Sequence, residues 1–370
     1  MNRSGLFCID SCGVIFLLHK KRICFFCLIC LTVLILDAKT TLYGASEALQ
    51  LCIKTVVPSL FPYMTLTMML SSMAIGTRLG HRNLLCRFTG IPDGTESLLL
   101  TGFLGGYPTG AQNVATAYQQ GAITKEDAQR MIGFCSNAGP AFLFGIILQK
   151  FGHLWMIFLL WLVHIVSALL TAAVLPRKAT SQKAIPKAIP LSFSDAVKKS
   201  ISALSLVCGW ILLFRIITSF LEQWILWLLP REVQVIFFCI IDLANGCCQL
   251  NSITNDGIRF VVCAAAIGFG GICVVMQTKA VIGELNLKWY LPAKLLQCVI
   301  STLVAYVCQL LFFSEGDQWN LKLPFAILPP IFLFSVFLAK RKIILAFLSE
   351  MVYNLRKRRN EECSCYSARK

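Results

Sequence analysis

The feature that most constrains this chain is a recurring one. Apolar segments run at residues 23–36, 55–75, 97–116, 131–150, 153–175, 201–221, 233–252, 258–278, 291–313 and 325–347. A helix crosses a bilayer with about 17–25 mainly apolar residues, and most of these segments reach that length. Hydrophobic residues make up 57% of the chain and charged residues only 14%, against roughly a quarter charged in a soluble domain. In hydrocarbon every backbone N–H and C=O must be paired internally, which leaves helices as the spanning elements for segments of this length. The sequence therefore predicts an all-α polytopic membrane protein, held in the lipid bilayer of the cell membrane.

Charge gives the expected orientation. Lys and Arg outnumber Asp and Glu by 34 to 18, a net +16. The excess is local: His19–Arg22, Arg78–Arg87, Arg177–Lys199, Lys340–Lys342 and Arg356–Arg359. Basic clusters beside spanning segments face the cytoplasm, and nothing accompanies them that would read nucleic acid. Both termini are thus expected to be cytoplasmic. The acidic or mixed linkers Asp37–Glu47, Glu222–Glu232 and Glu315–Lys322 are expected outside. The N-terminus also resembles a signal peptide, with a basic cluster, an apolar run and then "DAKT". The expectation is an uncleaved first helix.

Counting then forces two dips. Three apolar segments lie between Arg87 and Arg177, both inside, and three crossings would end outside. Two segments lie between the external Glu222–Glu232 and the internal Lys279–Lys294, where one net crossing is allowed. The most polar segments, 97–116 and 233–252, are the candidates for re-entrant hairpins. Lys150 and His153 fall on the outer side and run against the rule. The expected total is about eight transmembrane helices plus two re-entrant hairpins.

The order of features repeats. A helix beginning "VVPSLFPYMTLTMMLSS" (Val56–Ser72) or "ALSLVCGWILLFRIITSF" (Ala203–Phe220) is followed by a glycine-broken dip, a second broken helix and a closing helix. The odd number of crossings per unit predicts an inverted-topology repeat. The expected divisions are residues 1–47 (first helix and external linker), 48–175 (first repeat), 176–200 (basic linker), 201–313 (second repeat) and 314–370 (last helix and tail). Inverted repeats of this kind place substrate near mid-bilayer, where paired helices are interrupted.

The interruptions supply the candidate site. "GFLGGYPTGAQN" (Gly102–Asn113) puts Gly106, Tyr107, Thr109 and Gly110 in an oily stretch, and broken backbone there survives only when buried or facing a wet cavity. "SNAGP" adds Ser136, Asn137 and Gly139; "DLANGCCQLN" and its successor add Asn245, Asn251 and Ser252. Gly270, Gly271 and Gln277 belong to the most glycine-rich helix. The bland alternative is close helix packing through small residues. Asp242, a carboxylate in an apolar segment, is the candidate for a coupling proton or sodium ion, its alternative being an interfacial position. Arg215 and Lys54 read as snorkelling or paired, the alternative being anion ligands, and "TKED" (Thr124–Asp127) as a capping box.

No enzyme constellation is visible. The 18 cysteines sit mostly in apolar runs, "CFFCLIC" lacks a fourth ligand, and no cofactor or metal is expected. The expected partners are a small anionic metabolite, the bilayer, a coupling ion and another copy of the chain.

"VVPSLFPY", "GGYPTGAQ", "CSNAGPAFLFG" and "GFGGICVVMQ", in this order, resemble the sporulation integral membrane proteins of the YlbJ/SpoVV type, within the wider Gate or nucleoside-recognition group. The resemblance covers about residues 20–345. It implies a role in sporulation, at the membrane surrounding the forespore, and transport of a dipicolinic acid-type dianion. It maps onto Tyr107, Pro108, Gly110, Ala111, Asn137, Gly139, Pro140, Gly270, Gly271 and Gln277. Gly106 departs from it, standing where serine is expected. The expected function is a secondary transporter working by alternating access. The alternative is a non-transporting membrane protein needed for spore formation through protein contacts.

Overall fold

The computed structural model describes residues 7–74, 84–176 and 190–313. The expected span at 325–347, the basic tail, most of the central linker, Arg78 and Arg82 lie outside the described residues. Among the described residues every regular element is helical.

The chain begins with α1 (Phe7–Leu36) and α2 (Ala38–Leu51), which passes through a π turn (Cys52–Val56) into α3 (Val57–Ala74). After the short α4 (Leu84–Thr89) comes the pair α5 (Glu96–Gly105) and α6 (Thr109–Gln119). The next helix is broken: α7 (Lys125–Cys135) ends, and α8 (Pro140–Phe142), a π turn (Leu143–Ile147) and α9 (Leu148–Phe151) carry on. The long α10 (Leu154–Val174) closes this half. The second half has a long α11 (Phe193–Trp224), a pair α12 (Arg231–Ile241) and α13 (Leu243–Cys248), a broken helix α14 (Asp256–Phe269) and α15 (Gly271–Val281), and a long α16 (Tyr290–Phe312).

Six of these are long and apolar enough to cross a membrane: Ala38–Met73, Lys125–Phe151, Leu154–Val174, Phe193–Trp224, Asp256–Val281 and Tyr290–Phe312. Their outer faces carry exposed Leu, Ile and Phe, such as Leu66, Leu162, Leu213 and Leu303, as lipid contact requires. The protein is thus an all-α, multi-pass membrane protein.

The two pairs fold back on themselves. A Cβ at Gly110 would crowd the Gly102 backbone, and one at Gly246 would fall on Cys239. The pairs also open at opposite ends of the helical body. Gln112, Asn113 and Thr116 of α6 share a small cavity with Ser71 and Ser72, near the end of α3. Gln234 and Gln249, beside the arms of the second pair, line a different cavity with Glu47 on α2. Glu47 and Ser72 lie toward opposite ends of the Ala38–Met73 helix.

The segment at 37–47, expected as an external linker, is helical over nearly its whole length. Asp37 caps α2, its side chain accepting from Thr40 N, and the helix runs on through Glu47. Gly44 and Ala48 are buried, and α2 lies against α11 closely enough that a Cβ at Gly44 would fall 2.7 Å from Ser219 Oγ. A modestly apolar stretch becomes helical because one narrow face finds a partner helix. The "TKED" box forms as expected: Thr124 accepts from Asp127 N at 3.1 Å and opens α7.

Candidate functional site

The interruptions meet in two pairs. Gly106, with φ 76°, lies against Gly139 of the α7–α8 break. Gly271, with φ 80°, lies against Cys239 and Leu243 at the turn of the α12–α13 pair. Tyr107 joins the two: its hydroxyl donates to Ile267 O at 2.9 Å, and its ring edge comes within 3.4 Å of where a Cβ at Gly270 would sit. The Tyr107–Pro108 peptide is cis.

Between the pairs is a cavity of about 40 Å³. Its polar lining is Tyr107, Asp242 and Gln277, with the Gly106 backbone beside them. The walls are apolar and come from both halves, among them Leu60, Phe142, Ile211 and Val274. Val56 and Ile146, one from each π turn, also line it; π turns recur at functional sites because they re-aim side chains. The volume admits a few waters and no metabolite, so the conformation is closed around its polar centre.

Asp242 is 1% exposed and caps its own helix, accepting from Ala244 N at 3.0 Å and from the Asn245 amide. The carboxylate sits where N-terminal amides and the local dipole favour a negative charge. Gln277 is buried, and among the described residues its amide donates to Cys273 Sγ, at 3.2 Å. Sulfur is a weak acceptor, so most of its hydrogen-bonding capacity is unused.

The expected site residues separate accordingly. Gly106, Tyr107, Asp242 and Gln277 meet at the cavity, with Asn245 one turn behind on Asp242. Gly110 and Gly139 serve close backbone packing: a Cβ at Gly110 would fall on the Cys135 carbonyl, and one at Gly139 would sit 2.8 Å from Gly106 N. Thr109 is fully buried against Gly105. Asn251 and Ser252 are exposed in a short 3-10 turn beyond α13, away from the cavity lining. The α13 helix ends at Cys248, so these two emerge at the surface of the body.

Ser136 and Asn137 belong to a polar cluster the sequence did not disclose. Asn137 donates to Phe134 O at 2.6 Å and accepts from Gln297 Nε2 at 3.1 Å. Lys294 Nζ donates to Ser136 O and to Gln297 Oε1, the latter at 2.8 Å. Its ammonium stands 5.2 Å from the centroid of the Tyr107 ring. His164 Nε2 accepts from Ala138 N at 3.0 Å. Lys294, Gln297 and His164 are each 0% exposed. Lys294 had been counted with a cytoplasmic loop; it lies one turn inside α16. Its signal was a polar spacing on one helical face, Lys294, Gln297 and Ser301, matched on α10 by His164, Ser167 and Thr171.

Arg215 is paired, as expected of it. It meets Glu47 at 2.7 Å and Glu222 at 3.0 Å. A comparison with protein-family models returned no match, and none was found among curated proteins or solved structures.

Proposed function

We propose that the protein is a secondary transporter of a small polar, anionic metabolite, working by alternating access between two inverted repeats. In this reading α5–α6 and α12–α13 are re-entrant hairpins dipping from opposite faces, and α7–α9 and α14–α15 are single spans broken at mid-membrane. The observation that carries it is the meeting of interruptions from both halves around one cavity, the Gly106–Tyr107 and Asp242 turns lining it and the Gly139 and Gly271 breaks packed directly behind them. Freed backbone groups in hydrocarbon are costly, and their clustering about a wet space has a direct physical rationale in carriers.

The lining adds a condition. Asp242 and Tyr107 are the titratable groups on the cavity wall, and an ionised Asp242 repels an anion placed beside it. An anionic substrate is therefore accommodated with Asp242 protonated, or with a cation on it, which couples uptake to a proton or sodium ion. A dipicolinic acid-type substrate and a place in spore formation rest on the family resemblance alone.

The test is reconstitution of the full chain in liposomes with an imposed proton or sodium gradient. Labelled small mono- and dicarboxylates, pyridine dicarboxylate among them, are the probes. Gradient-driven accumulation that is lost in Asp242→Asn and weakened in Gln277→Ala supports the reading. Failure of every probe to move, with both variants folded and both preserving spore formation, returns the protein to the scaffold class.

A further inference from the structure

A second, larger cavity stands over the first. It measures about 510 Å³ and is lined by Arg215, Glu47, Glu222, Arg231 and the aromatic rings of Tyr43 and Trp227. Three elements line both spaces. On α11, Val207 and Ile211 face the inner cavity and Arg215 faces the outer one. Four residues of helix separate Ile211 from Arg215, about 6 Å along the axis. On the α2–α3 helix Val56 and Leu60 face inward and Glu47 outward; around α12–α13, Asp242 and Ala244 face inward and Gln249 outward. Between Glu47 and Val56 the same helix carries the small buried residues Ala48 and Cys52. The outer space is thus a vestibule that shares three lining elements with the inner cavity and stands about one helical turn from it along α11.

At its floor the ion pair Arg215–Glu47 ties α11 to α2. The two carboxylates on Arg215 are not equivalent. Glu222 is on the same helix as Arg215 and 25% exposed, whereas Glu47 comes from another helix and is 46% exposed. Arg215 itself is 6% exposed, so a guanidinium that lost both partners would be a buried, uncompensated charge. Glu47 is the carboxylate that water already reaches, and exchanging it for another carboxylate keeps Arg215 satisfied.

We propose that the vestibule captures a small carboxylate by exchange for Glu47 on Arg215, and that the Arg215–Glu47 pair is the gate above the inner cavity. This rests on the transporter reading. Substrate binding releases the tie between α2 and α11 and opens the route past Ala48 and Cys52. Arg231, which donates to Gln234 at 3.1 Å, adds positive charge to the same space. The occupant shares its chemistry with lipid phosphate, and the experiment separates them.

The full chain carrying Ile211→Cys is placed in nanodiscs and treated with anionic sulfonatoethyl or cationic trimethylammonioethyl methanethiosulfonate. Modification at position 211 is read by peptide mass spectrometry, so the native cysteines can stay. Adding Glu47→Gln is expected to speed the anionic reagent about fivefold, the upper end for a half-exposed ion pair, and the cationic reagent less. Glu47→Asp is expected to restore the slow rate. Arg215→Gln is expected to erase the preference for the anion. An unchanged rate in Glu47→Gln overturns the gate, and an equal rise with both reagents overturns the capture role. Suppression of the anion preference by acidic phospholipid, relative to zwitterionic lipid, assigns the site to headgroups and overturns the proposal. None of these readouts needs transport, so they fail separately from the transporter reading.

Discussion

Both halves of the molecule interrupt a helix inside the apolar body, and they satisfy the freed backbone in different ways. At the Ser136–Gly139 break Asn137 meets Phe134 O locally. The Ser136 carbonyl and the Ala138 N–H are met from elsewhere, by Lys294 of α16 and His164 of α10, and Gln297 holds the Asn137 side chain. At the Asp242 turn the partner is local, Asp242 accepting from Ala244 N in its own helix. A break tied to neighbouring helices works as a structural joint, although His164 Nδ1 beside it is buried without a hydrogen-bond partner among the described residues. A break that caps itself leaves its neighbour Gln277 with spare hydrogen-bonding capacity at the cavity. On the transporter reading, this difference assigns stability to the first half's break and ligand contact to the second's.

The largest expected effect tests the first of these. Lys294→Met strips the Ser136 carbonyl and the Gln297 amide oxygen of their shared Nζ donor in a space water does not reach. A buried acceptor left unpaired costs about 1–3 kcal/mol, so two of them predict a loss of about 3 kcal/mol. The melting temperature of the purified chain in detergent should fall well below that of the native protein. A variant that melts normally would show that the joint is held by its glycines alone. Gly139→Ala is the companion: a Cβ there would sit 2.8 Å from Gly106 N, backbone that cannot swing away. It should destabilise the protein as strongly as Lys294→Met, by the same melting measurement.

Asp242→Asn tests the second break. Asparagine caps a helix about as well as aspartate, so stability should stay within about 1 kcal/mol of native. If Asp242 carries the coupling ion, accumulation in liposomes should lose its dependence on the imposed gradient while downhill exchange persists. Stability loss on the scale of Lys294→Met would instead make this carboxylate a structural group and remove the contrast between the breaks. Gln277→Ala belongs to the same test at smaller scale. Only a weak sulfur contact is lost within the protein, so the melting temperature should hardly move. One hydrogen bond to a ligand predicts about a tenfold rise in the half-saturating substrate concentration, or about 1.4 kcal/mol.

The asymmetry also explains which parts of this architecture a sequence discloses. Long apolar runs and glycine-proline punctuation are local signals, and they marked the breaks at Gly106–Pro108, Ser136–Gly139 and Gly270–Gly271 where the helices do end. Asp242 stood out because a carboxylate in an apolar run is conspicuous by itself. Lys294 did not, because it lies near the start of α16 beside a basic loop, and its acceptor is 158 residues away in the chain. Asn251 and Ser252 illustrate the opposite failure. They share a polar run with Asn245, but α13 is a six-residue helix, and three residues past its end the chain is already at the surface. Glu47 was legible as a charge but not as the partner of Arg215, since the packing of α2 on α11 brings the two together.

Tyr107 belongs to both breaks, and its substitution gives the smallest effect and the sharpest reading of them. It sits in the turn between α5 and α6 beside Gly139, donates to Ile267 O just before the Gly270 interruption, and presents its ring to Lys294. Tyr107→Phe removes the hydroxyl and keeps the ring. The stacking near Lys294 and the packing against Gly270 are retained, so the only loss in the resting protein is one hydrogen bond to a carbonyl. That predicts about 1 kcal/mol, a small shift in melting temperature. If the hydroxyl serves only to tie the halves together, substrate affinity should follow stability and change little. If it swings to a ligand when the cavity opens, affinity falls as far as in Gln277→Ala, alongside the same small shift in melting temperature. Measuring both quantities in the same variant decides whether the ligand-facing surface is confined to the second half or extends across the turn of the first.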